Sequence, residues 1–145
     1  RAAADLWRDA DCIVGAAAPA DYTPHRRIKG KRKKSSGDLQ LSLKPTVDIL
    51  ARLGARKGGR IIIAFALEVA HGERNAIEKM GRKRADAVVL NAPAAMGAGR
   101  SDALILTSDG ERLELTDAPK RRIAGRIVKL AESLRSRSVK GTADA

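Results

Sequence analysis

The chain has 145 residues, which suits one domain with a single buried core. Aromatics make up 2% against 43% hydrophobic residues overall, so the core must be built from Ala, Ile, Leu and Val. The formal net charge of +12 points to an anionic partner. No apolar run approaches the roughly 18 residues a membrane span needs, and the single Cys12 excludes an internal disulfide or a cysteine-built metal site. A cytoplasmic location without membrane association is expected.

Arg1–Ala10 reads as the end of a helix with no secretory pattern before it, so the chain is expected to be the rear part of something longer. Asp11–Ala17 reads as a buried strand. It runs into Gly15-Ala16-Ala17-Ala18-Pro19-Ala20, side chains too small to keep a polyanion from the backbone amides. Asp21 follows, a carboxylate able to help hold a divalent cation beside phosphates. Arg26–Lys34 then carries seven cations in nine residues. Asp21–Asp38, with Pro24, Gly30, Ser35, Ser36 and Gly37, is a long loop, too charged to be core.

Leu39-Gln40-Leu41-Ser42-Leu43 alternates with period two, as in a short half-buried strand. Thr46–Lys57 reads as a helix capped by Thr46, with Ile49, Leu50 and Leu53 as its apolar stripe and Gly58 at its end. Arg60–Ala66 holds Ile61–Ala66, a continuous apolar run typical of a strand covered on both faces. Gly72–Arg84 reads as a helix with Ile77 and Met80 inward, and Asp86–Leu90 as another buried strand. Leu104–Leu106 and Leu113–Leu115 flank Ser108-Asp109-Gly110-Glu111, a β-hairpin signal. Ala118–Leu134 is the longest helix, with Ile123, Ile127, Leu130 and Leu134 on one stripe, and the polar tail after Arg135 is expected to fray.

Strands alternating with helices imply a Rossmann-like α/β fold: a mostly parallel sheet with flanking helices, a β-hairpin and a long basic flap. Ligands of such sheets sit beyond the carboxyl ends of the strands, where Gly15–Asp21, Phe65–Glu68 and Asn91 could meet. The basic run is open to three readings: a solvated charge run, a nucleic-acid contact, or a lid over a bound anion. Trp7, Tyr22 and Phe65 are not interleaved with it, which weakens nucleic-acid binding. Lys79 and Lys83 share a helix face. Asp48 either serves the site or favours its helix dipole. His25 and His71 lack partners at metal-ligand spacing, and Cys12 reads as a small core residue. Gly97-Ala98-Gly99 lacks the strand-to-helix context of a phosphate-binding loop.

Several of these segments, in this order, resemble bacterial phosphopantothenate–cysteine ligase, the synthetase part of the bifunctional coenzyme A biosynthesis flavoprotein. They are Gly15–Tyr22, Arg27-Ile28-Lys29, Val47–Leu50, Ala64–Glu68, Lys79 with Lys83, and Val89-Leu90-Asn91, within a match from about Asp11 to Leu134. The resemblance implies a C-terminal ligase domain part over 1–136, with 137–145 as a polar tail. It implies ligation of 4′-phosphopantothenate with cysteine through an acyl-cytidylate, with CTP as co-substrate and Mg²⁺ as cofactor. FMN would belong only to a decarboxylase fused upstream. A homodimer or higher homo-oligomer is implied in the same way.

Carried over by position, Gly15, Ala16, Ala17, Asp21, Arg27, Val47, Asp48, Ile49, Leu50, Phe65, Lys79 and Lys83 would contact the nucleotide. Asp21 would also sit by the metal, and Arg27 and Lys29 match basic positions of the catalytic flap. Arg27 stands where the family has a lysine, Pro19 replaces a small aliphatic residue, and Val69 replaces a threonine. The family's glycine-rich opening and its intermediate-binding asparagine are not within these residues, so weak or no ligase activity is expected from them alone. The alternatives are a basic nucleic-acid-binding α/β module and a degenerate, non-catalytic homologue.

Overall fold

The computed structural model describes residues 2–31, 33–34, 36–67, 72–91 and 99–143, without the side chains of 140–143. Glu68, Val69, His71, Gly97 and Ala98 lie outside the described residues. The chain divides into two units, Arg1–Ala17 with Ile49–Ala145, and Ala18–Asp48.

The larger unit holds helices α1 (Ala2–Leu6), α2 (Ile49–Gly54), α3 (Gly72–Lys83) and α4 (Lys120–Ala143). Its strands are β1 (Cys12–Gly15), β4 (Ile61–Leu67), β5 (Ala87–Asn91), β6 (Arg100–Thr107) and β7 (Arg112–Pro119), in the order β1-β4-β5-β6-β7. β1, β4 and β5 are parallel, whereas β5–β6 and β6–β7 are antiparallel. The sheet is therefore mixed, not mostly parallel. Chain length explains the correction: eight residues separate Asn91 from Arg100, and a parallel crossover needs about a dozen.

Strand alternation sends side chains to two separate cores. Ile62, Ala64, Ala66, Val88 and Leu90 face Leu53 of α2 and Ala76 and Met80 of α3, with Trp7 joining them. Ile61, Ile63, Ala87, Val89 and Ile105 face Ile123, Ile127 and Leu134 of α4. Ile62 and Ile63 are 0% exposed, one on each side, which is why this run shows no alternation in hydrophobicity.

Three expected elements differ. Ile77 is 53% exposed because Ala76 and Met80, four apart, set the inward line of α3 and position 77 lies off it. β7 continues to Pro119, so α4 starts at Lys120. It then runs to Ala143, past the 136/137 boundary where a polar tail was expected. Its far end is held by Arg135 to Asp11 (2.7 Å), Arg137 to Asp109 (2.6 Å) and Ser138 Oγ to Gly59 O (3.0 Å).

The second unit is built on β2 (Tyr22–Pro24) paired antiparallel with β3 (Leu43–Pro45). The Thr46 N–H donates to Asp21 O (2.8 Å), and the Thr46 hydroxyl donates to Ala20 O (2.6 Å). Thr46 thus closes the base of this unit instead of capping a helix, and α2 begins only at Ile49. The strand expected at 39–43 starts at Leu43, because Tyr22–Pro24 pairs with residues 43–45. Leu39 and Leu41 are exposed rather than half-buried.

At the strand-start end of the sheet, Asp86 Oδ2 accepts the Ile62 N–H (2.8 Å) and Oδ1 accepts Lys57 Nζ (2.6 Å). Asp86→Ala strands a half-buried ammonium and a backbone donor, and should cost about 2–4 kcal/mol in chemical denaturation. Lys57→Met leaves the Asp86 carboxylate its bond from the Ile62 N–H and should cost less. In the hairpin turn the Thr107 hydroxyl donates to Asp109, which with nearby Arg137 holds the Asp109 carboxyl below the usual range. A lowered folded value means the contribution is complete above the unfolded carboxylate pKa, about 3.9, and disappears as pH falls through the folded value. Asp109→Asn should flatten the acid limb of Tm against pH there and leave the neutral region's slope unchanged.

Candidate functional site

The carboxyl ends of β1, β4 and β5 lie side by side, with Gly15 opposite Ala64, Phe65 opposite Val89 and Leu67 opposite Asn91. This is the end at which α/β sheets bind ligands. Gly15 has a packing reason to lack a side chain: a Cβ there would lie 2.5 Å from Leu50 Cδ1. Two sequence-selected residues, Gly15 and Leu50, are thus in direct apposition. Ala16 and Ala17 follow on the surface, but the Ala16 N–H is donated to Val14 O (3.1 Å) and is not spare.

Phe65 projects to the α4 side of the sheet, whereas Leu50 packs on the side of α2 and α3. Lys79 and Lys83 lie on α3, half-buried along the ridge Gly72–Asn75–Lys79–Lys83, and both are already engaged by neighbours. They therefore flank the inward line of the helix, instead of standing well away from it. Lys83 is at the end of α3 remote from Gly72, where its carbonyl leaves no room for a Cβ on Gly54. Gly15, Leu50 and the lysine pair share one side of the sheet, with Phe65 on the other.

The second unit carries the remaining candidates. Asp21, Arg27, Lys29, Val47 and Asp48 are exposed, and Asp48 has an interaction partner. Asp21 precedes β2 with its backbone oxygen committed to Thr46. Among the described residues no three of His, Cys, Asp or Glu converge as a metal cage. Any Mg²⁺ would therefore take most of its oxygen ligands from substrate phosphates and water. Burial pushes the Cys12 thiol up, and Asp86 and Asp11 push the same way, which disfavours the thiolate.

Asn91 Oδ1, at the carboxyl end of β5, is buried and receives no hydrogen bond among the described residues. A buried acceptor without a donor is uncommon enough to mark this strand end as a polar contact point. The sequence already put Asn91 at a strand end and in the resembling segment Val89-Leu90-Asn91; the unmet hydrogen bond is what the structure adds.

Residues 1–134 match the family described as DNA/pantothenate metabolism flavoprotein C-terminal domain. The chain belongs to that family. It is 39% identical over 114 residues to the Coenzyme A biosynthesis bifunctional protein CoaBC of Bacillus subtilis (strain 168), a match covering 76% of this chain and 28% of that protein. It thus spans under a third of the length of this curated relative. The crystal structure of the C-terminal domain of a Coenzyme A biosynthesis bifunctional protein CoaBC superposes with TM-score 0.74 at 28% identity, covering 92% of this chain and 59% of that one. A Cab2 mutant in complex with phosphopantothenate-cysteine shares the fold, with TM-score 0.60 at 17% identity over 85% of this chain and 44% of that one. No helix among the described residues is long and apolar enough to cross a membrane.

The Gly15–Leu50 apposition gives a local test. Gly15→Ala should force Leu50 from its rotamer and lower stability by about 1 kcal/mol. Leu50→Ala in the same chain should absorb the added methyl, so the double variant loses less than the sum of the singles in a denaturation cycle.

Proposed function

We propose that this chain is the rear part of a CTP-dependent phosphopantothenate–cysteine ligase, with residues 1–136 forming its share of the ligase domain. The match to the CoaBC C-terminal domain across 92% of the chain carries the reading. The order of Gly15–Asp21, Val47–Leu50, Phe65 and Lys79/Lys83 along that fold supports it. The Cab2 complex adds the product: 4′-phosphopantothenate and cysteine would be the groups joined.

A carboxylate is a poor acyl donor, so the reaction needs an activating step. The carboxylate of 4′-phosphopantothenate attacks the α-phosphate of CTP, giving an acyl-cytidylate and releasing pyrophosphate. The cysteine amine then attacks the acyl carbon, expels CMP and forms the amide. Gly15, Ala16 and Ala17 let the nucleotide approach the β1 exit without side-chain obstruction. Val47–Leu50 lead into α2, whose Leu50 packs against Gly15 at the β1 exit. Phe65 offers an apolar surface at the β4 exit, and Lys79 and Lys83 contribute positive charge. Mg²⁺ beside Asp21 would neutralise the triphosphate as pyrophosphate leaves.

Arg27 and Lys29 belong to the basic flap in this reading. Arg27 keeps the charge of the family's lysine and offers a planar fork of donors to phosphate oxygens. Lys29, two residues on, matches a further basic position of the flap. A homodimer in the cytoplasm fits the family but rests on resemblance alone, and FMN would enter only with a fused decarboxylase.

The test is nucleotide-dependent melting of the full-length protein with Mg²⁺. CTP should raise Tm clearly more than ATP or GTP, and Lys79→Ala with Lys83→Ala should remove most of that difference. Equal shifts for the three nucleotides would exclude the assignment.

A further inference from the structure

The strand-start end of the sheet, remote from Gly15 and Asn91, carries a second cationic feature. A cleft of about 360 Å³ opens between the residues entering β1 and those entering β4. Arg8, Arg60 and Arg135 line it, with Asp9, Asp11 and Gly59. Three guanidinium groups face two carboxylates, an excess of one positive charge before any ligand is considered.

Arg60 is the unusual member. Its guanidinium lies over the Trp7 ring, 5.5 Å from the centroid, and donates to Arg8 O at 3.0 Å. A longer bond reaches Lys57 O at 3.5 Å. These contacts fix the group, yet among the described residues no carboxylate pairs with it. A half-buried cation held in place without an anion is costly unless something neutralises it. Arg135 is bound to Asp11 at 2.7 Å, and Arg8, 80% exposed, reaches Asp5 only at 4.0 Å.

We infer that this cleft is an anion site separate from the nucleotide crevice, taking a phosphate monoester on Arg60 with Arg8 and Arg135 at its rim. A guanidinium presents five N–H donors in a fixed plane, and Arg60 spends only part of its set on backbone oxygens. The unspent donors suit two oxygens of one phosphate. A doubly charged phosphate offers a third oxygen to the rim arginines, which a carboxylate does not. The site lies within the larger unit and does not depend on the ligase assignment.

The reporter is already present: Trp7, the one tryptophan of this sequence, lies under Arg60. Inorganic phosphate and glycerol 3-phosphate are titrated into the full-length protein at constant ionic strength, with Trp7→Phe identifying the Trp7 emission. A saturable change in that emission is expected. Arg60→Lys, which keeps the charge but loses the fork, should weaken binding roughly tenfold. Arg8→Ala lies at an exposed position, so it leaves the fold intact and should weaken binding by a smaller factor. Curves identical in wild type and Arg8→Ala, or a change that chloride reproduces, would overturn the site even if Arg60→Lys failed to fold.

Discussion

The carboxylate of Asp86 ties together the start of β4, the approach to β5 and the segment after α2. One oxygen accepts the amide at the start of β4, and the other holds the ammonium of Lys57, beyond the end of α2. The main chain of the same residue donates to Ile62 O and accepts the Ser108 N–H from the hairpin turn, both at 2.8 Å. One residue thereby fixes how β4, β5 and the β6–β7 turn line up. A slip of one residue in β4 would exchange the faces of Ile62 and Ile63 and spoil both cores. The charges are half-buried, so the pair's worth lies in specifying register more than in net attraction.

That alignment divides labour between the two ends of the sheet. The strand-start end is densely cross-linked by Asp86, Lys57, Arg60 and the last turns of α4. The opposite end has small residues at the β1 exit and an unsatisfied amide oxygen on Asn91. Such a division is physically sensible, because polar groups left unpaired at a binding end cost stability that must come from elsewhere. Ala18–Asp48 extends the economy: Thr46 secures its base through Ala20 and Asp21, and the basic residues beyond make no comparable commitments among the hydrogen bonds described.

Much of this was readable in advance, and the failures have identifiable causes. Ile61–Ala66 declared itself a doubly covered strand because nothing else explains six apolar residues in a row. Asp109-Gly110 marked the hairpin, and Gly110 does adopt a positive φ of 91°. Sheet direction was misjudged because alternation of elements implies crossovers only where the connections are long enough. Ile77 misled because Ala76 and Met80 take the inward line of α3 and leave position 77 off it, exposed. Arg27, Lys79 and Phe65 were chosen through resemblance, since local pattern contains no trace of which face of a sheet a residue occupies relative to another. Asn91 and Arg60 show the same limit from the other side: an unmet hydrogen bond or an unpaired charge exists only once the neighbours are placed.

The bond between Asp11 and Arg135 joins residues 124 positions apart. During synthesis it cannot form until the last helix has emerged, although β1, β4 and β5 can associate before then. Until that moment the face made by Ile61, Ile63, Ala87 and Val89 has no helix over it. The nascent chain therefore passes through a stage with an apolar sheet face open to water, sticky toward other chains and suited to chaperone capture. The speed at which Ile123, Ile127 and Leu134 reach that face sets how long the hazard lasts, making α4 a determinant of yield as well as of stability.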